Sequence, residues 1–151
     1  MYSKEQAAHL RQTFWTSFGQ YMRPVISTSG LKINWINYKT GVKHLYFKLQ
    51  ADNKNAVIAI EITHADKELQ QLFFEQFASY KNILNSALKE AWIWQLHTAD
   101  EYGKTISRIY TELENVSVYN QHDWPQLISF FKPRIIALDE FWEDVKYAFQ
   151  A

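Results

Sequence analysis

The 151-residue chain has no cysteine, three prolines and four glycines. It also has no apolar run approaching the ~18–20 residues of a membrane-spanning helix. Each shortage excludes something. Without Cys there is no disulfide scaffold, and a zinc site would be limited to His and carboxylate ligands. Four scattered glycines cannot line a phosphate-binding loop or a dinucleotide turn. No Ser sits in a Gly-x-Ser-x-Gly elbow, so a serine-type triad has no support. The five His are far apart, and none forms a His-x-x-x-His pair on a helix. Tyr2 to Arg11 lacks the basic-then-apolar layout of a signal peptide. The expectation is a soluble cytoplasmic protein with no membrane partner, no cofactor and no metal site.

What is present is apolar bulk. Hydrophobic residues make up 47% of the chain, with six Trp, nine Tyr and ten Phe, ample surface to offset ordering entropy. The length fits one domain, 1–151, able to bury roughly 70% of the surface its unfolded form exposes. Net charge is zero but unevenly spread. Residues 1–60 carry eight basic and two acidic side chains, and residues 61–151 carry eight and fourteen. A basic first half fits an acidic partner, but only four of the sixteen cations are Arg and the pI is about 7.0, unlike a dedicated nucleic-acid binder.

Ser3-Lys4-Glu5-Gln6 has the form of a capping box. Behind it, Phe14, Trp15, Phe18 and Met22 recur at helical spacing, until Pro24 and Ser27-Thr28-Ser29-Gly30 end the helix. The period then changes to two. Leu31–Ile36 reads as a short strand and Thr40-Gly41 as a turn. Leu45, Phe47 and Leu49 alternate with His44, Tyr46, Lys48 and Gln50, and beyond a tight Asp52–Asn55 turn Ile58, Ile60 and Ile62 alternate with Val57, Ala59, Glu61 and Thr63. Folding about Asn53-Lys54 sets Leu45 against Ile62, Phe47 against Ile60 and Leu49 against Ile58. A second helix capped by Asp66 runs through Leu88. Trp92–His97 and Lys104–Glu114 read as an antiparallel pair. A last helix starts at Asp123-Trp124-Pro125, with Asp123 as cap, and Pro133 should kink or divide it. The order is α-βββ-α-ββ-α: an α+β fold with a mostly antiparallel sheet and helices packed on one face.

If the strands pair this way, His44, Tyr46, Lys48, Glu61, Thr63, Gln95, His97 and Arg108 form a polar sheet face. Tyr110 and Glu112 join it if the last strand is oriented alike. Such a face suits a protein or nucleic-acid partner, though an antiparallel sheet also commonly leaves one face merely wet. Trp15, Trp92, Trp94 and Trp142 fall on periodic apolar positions and read as core. The element order is also shared with PD-(D/E)XK nucleases, in which an Asp and a Glu-x-Lys hold Mg²⁺. Here the nearest match, Glu61-Ile62-Thr63, lacks the lysine, and Asp52 at the hairpin tip lies on the order of 20 Å from Glu61 at ~3.3 Å per residue.

Arg11-Gln-Thr-Phe-Trp15, Ile83-Leu-Asn-Ser-Ala-Leu-Lys-Glu-Ala-Trp92-Ile-Trp94, Ser107-Arg108-Ile109 and Asp123-Trp124 form an ordered set covering nearly the whole chain. In that order and spacing it resembles the bacterial family labelled domain of unknown function 4268. The resemblance implies an intracellular bacterial protein and brings no activity, cofactor or functional residue with it. The leading expectation is a non-enzymatic binding or regulatory module for protein or nucleic acid. The alternative is a PD-(D/E)XK-like nuclease or its inactive relative. Self-association, as a homodimer, is a third reading, because the aromatics exceed what one core needs.

Overall fold

The computed structural model describes residues 2–150. Helix α1 spans Lys4–Met22 and starts with the expected capping box: Gln6 N–H donates to the Ser3 hydroxyl, and Ser3 N–H donates back to the Gln6 side chain. Strands β1 (Leu45–Ala51) and β2 (Asn55–Ile62) form the hairpin, followed by α2 (Lys67–Ser79) and α3 (Lys81–Leu88). Strands β3 (Ile93–Ala99) and β4 (Thr105–Glu114) complete the sheet, and α4 (Trp124–Val145) closes the fold. All neighbouring strands are antiparallel, in spatial order β1-β2-β4-β3. The chain is α+β, as expected.

The hairpin adopts the expected register, with Leu45 opposite Ile62, Phe47 opposite Ile60 and Leu49 opposite Ile58. One inward face therefore collects Leu45, Phe47, Ile58, Ile60 and Ile62, all buried. Each fully buried Leu, Ile or Phe side chain contributes ~1.5–3 kcal/mol, and a one-residue slip would turn the whole set outward. Helices cover this face alone. Phe47 meets Trp142 of α4 edge-on at 5.7 Å, and Trp94 meets Phe74 of α2 at 5.5 Å. Outside α4 lies α1, whose Phe14 and Phe18 pack on Phe131.

Four expectations are corrected. Leu31–Ile36 is not a strand. It belongs to an irregular stretch between α1 and β1, where Trp35 Nε1 donates to the Val25 carbonyl instead of joining the sheet. The second helix breaks at Tyr80 into α2 and α3. Asp123 does not cap α4: a short 3₁₀ turn, Gln121–Asp123, precedes the helix, and the carboxylate turns back to accept from Ser117 N–H at 2.9 Å. Pro133 does not divide α4. The carbonyl its missing N–H would have served is that of Ser129, and both residues are exposed, so water can replace the lost bond.

The stretch between α1 and β1 is long for an irregular connection and is held by side chains. Asp139 of α4, 1% exposed, accepts from the Ser27 hydroxyl (2.9 Å), Thr28 N–H (2.8 Å) and the Tyr38 hydroxyl (2.6 Å). Trp142 Nε1 donates to the Thr40 carbonyl at 2.9 Å. Gly41, at φ 81°, makes the turn that leads into β1.

Candidate functional site

The sheet's outer face carries no helix. Register fixes its rows: Tyr46, Glu61, Arg108 and Gln95 form one, and Lys48, Ala59, Tyr110 and Ile93 the next. Val57 pairs with Glu112 and Asn55 with Glu114, which places both acids on this face toward the hairpin tip. The orientation of β4 is thereby settled: Arg108, Tyr110 and Glu112 all join the outer face.

Local contacts organise the rows. Arg108 Nε donates to Gln95 Oε1 at 2.8 Å, and its guanidinium lies 4.0 Å from the centre of the Tyr110 ring. Lys48 Nζ sits 3.4 Å from Glu61 Oε1 and 5.5 Å from the centre of the Tyr46 ring. Glu61 is only 8% exposed, hemmed in by its long cross-strand neighbours, whereas Tyr46 is 44% exposed. The result is a flat patch of two cation–tyrosine pairs around a small residue, Ala59, with exposed Ile93 at its rim.

Of the eight residues expected on this face, Tyr46, Lys48, Glu61, Gln95 and Arg108 are there, and Thr63 lies just past the end of β2. His44 and His97 are not. Both have left-handed backbone, φ 66° and 53°. His97 falls in a β-bulge between Gln95 and Thr98; its ring Nε2 lies 3.1 Å from the Lys67 carbonyl at the start of α2, on the helical side. The His44 ring swings against His64, centroids 5.0 Å apart, at the mouth between β1 and α2. His64 also packs on Phe73, and its buried Nδ1 has no hydrogen-bond partner. Burial and then the neighbouring His44 push the His64 pKa down, against a smaller opposing pull from Asp66.

Two buried polar nodes escaped the sequence reading. Asp139 is one. The other is Gln70 on α2, whose Nε2 donates to the His64 (2.6 Å) and Thr105 (2.8 Å) carbonyls while its Oε1 accepts from the Ser107 hydroxyl (2.9 Å). The available signal was the same for both: a polar residue inside an otherwise apolar helical stripe.

The acids of the nuclease alternative stay apart. Asp52 Oδ1 accepts from Lys54 and Asn55 N–H at the tip, while Glu61 stands opposite Tyr46 near the hairpin's other end. Among the described residues, no group of three or more His, Asp or Glu side chains is placed to hold a metal ion. No helix there is long and apolar enough to cross a membrane.

The chain is a member of the family described as domain of unknown function (DUF4268), whose model matches residues 10–146. No match is found among curated proteins, and none among solved structures.

Proposed function

We propose that this protein is a non-enzymatic binding module whose uncovered sheet face takes a protein partner. The supporting observation is the composition of that face. Tyr46, Tyr110, Arg108 and Ile93 are the residue types that anchor protein interfaces, and they stand on a rigid four-stranded scaffold. The charge argues against nucleic acid. Two cations, Lys48 and Arg108, share the face with three acids, Glu61, Glu112 and Glu114. Lys48 already pairs with Glu61, and Arg108 with Gln95. Phosphate-driven binding draws on a surplus of cations, whereas on this face acids outnumber cations three to two; Arg108, bound to the neutral Gln95, keeps its charge. The cytoplasmic placement expected from the sequence is part of the same proposal.

The test is photo-crosslinking in cells from a benzophenone side chain placed at Tyr46, with one at the exposed Ser129 of α4 as control. A discrete protein adduct at Tyr46, lost on Arg108→Ala and absent from Ser129, is the expected result. Adducts to nucleic acid, or a Tyr46 adduct indifferent to Arg108→Ala, would overturn the reading. In vitro, single-stranded RNA and DNA should bind weakly with no steep salt dependence.

A further inference from the structure

The sheet has two edges, and they differ in how they are protected. β1 carries Lys48 at its centre and lies between Lys43 and Lys54, the kind of charge that discourages edge-to-edge pairing. The β3 edge has no such protection. From Ala91 to Ala99 there is no Asp, Glu, Lys, Arg, Pro or Gly. Ile93 is 52% exposed on the outer side and Leu96 40% exposed. No strand, and no backbone hydrogen bond from outside the sheet, covers that edge among the described residues. The bulge between Gln95 and Thr98 ends the flat run, so pairing is centred on Ile93 to Gln95 with Leu96 at its margin.

We infer that the β3 edge pairs with the β3 edge of a second copy of this chain, antiparallel about a two-fold axis, joining two four-stranded sheets into one of eight. Three features favour a second copy over a foreign strand. The segment has no charge, so identical strands meet without repulsion. The chain is net neutral, so two copies approach without a long-range barrier. A two-fold contact is closed, so it stops at two and protects both edges at once. Ile93, Gln95 and Arg108 lie on β3 and β4, next to the axis, so dimerisation would bring the outer faces of the two copies into one continuous surface. The inference concerns the edge and stands independently of the partner proposed for the face.

The mass of the full chain in solution, measured by sedimentation across the micromolar range, tests it. The expected result is twice 18.0 kDa, with Ile93→Lys and Leu96→Lys each shifting the mass to a single chain. Both side chains are exposed in the single chain, so circular dichroism of each variant should match the parent. Within Ile93 to Gln95, the backbone amides that point away from β4 should exchange slowly in the parent and quickly in the variants. A single-chain mass at every concentration overturns the inference, and so does a double mass that survives both substitutions. The Tyr46 crosslink is read in the parent and in Arg108→Ala, both of which keep Ile93 and Leu96, so the two readings fail separately.

Discussion

The Tyr38 hydroxyl donates a 2.6 Å hydrogen bond to the buried carboxylate of Asp139, joining positions 101 residues apart in the chain. The bond pins the irregular stretch between α1 and β1 to α4. Tyr38→Phe removes one of three donors and should cost about 1–3 kcal/mol, while Asp139→Ala strands all three and should cost more than about 3 kcal/mol. Urea unfolding checks both. Burial, then the hydrogen bond and charge of Asp139, and last the charge of Glu143, raise the Tyr38 pKa far above its usual value. The folded state therefore keeps this proton longer than the unfolded chain does, and stability present below pH ~10 should fall as pH rises beyond it.

Acid should act through His64. Its pKa is lowered in the folded protein, so below pH ~6.5 the unfolded chain takes up the proton first. Stability that is complete above that pH is then lost as pH falls toward the folded value. His64→Gln should flatten the dependence of the urea midpoint between neutral and mildly acidic pH. An unchanged slope in the variant would assign the dependence to another group.

Arg134 grips Glu90 with two hydrogen bonds of 2.9 Å, fastening the turn before β3 to α4. Burial pushes the Glu90 pKa up, but the hydrogen bonds from Arg134 and Trp92, with the Arg134 charge, outweigh it and hold the carboxyl below its usual range. Stability from this pair is present above the ordinary glutamate pKa and is lost as pH falls further. A double-mutant cycle of Glu90→Gln and Arg134→Met should give a coupling of about 1 kcal/mol, at the upper end for partly exposed pairs, and it should shrink in high salt.

Pro133 sits in the interior of α4 with its ring exposed. Pro133→Ala restores one backbone hydrogen bond at the Ser129 carbonyl. The gain is offset in part by the looser unfolded chain, leaving a net stabilisation of about 1–2 kcal/mol, seen as a higher Tm.

Regular alternation made the hairpin readable. Leu45, Phe47 and Leu49 can face Ile62, Ile60 and Ile58 in only one parity, and the Asp52–Asn55 turn fixed the rest. The same alternation misled at Leu31–Ile36. The β1 edge was open to it, but Asp139 and Trp142 hold the residues on either side of it with hydrogen bonds of another kind. His97 was misplaced because a single bulge inverts the facing of every residue after it, and nothing in Gln95-Leu96-His97-Thr98 announces one. His44 went the same way through one left-handed residue. The outer face was thus legible wherever the strands are straight and lost where the backbone leaves that geometry.

The position of β4 between β2 and β3 has a consequence for synthesis. The strand that belongs in the middle of the sheet is the last of the four to leave the ribosome. Until residue 114 has emerged, the hairpin waits with the β4 side of Ile58 and Ile60 unpaired, and α2 has no Thr105 carbonyl or Ser107 hydroxyl for Gln70 to reach. The nascent chain therefore passes through a window in which up to about three-quarters of it is made and its core cannot close, and a slow translation step within that window would lengthen its exposure to chaperones and proteases.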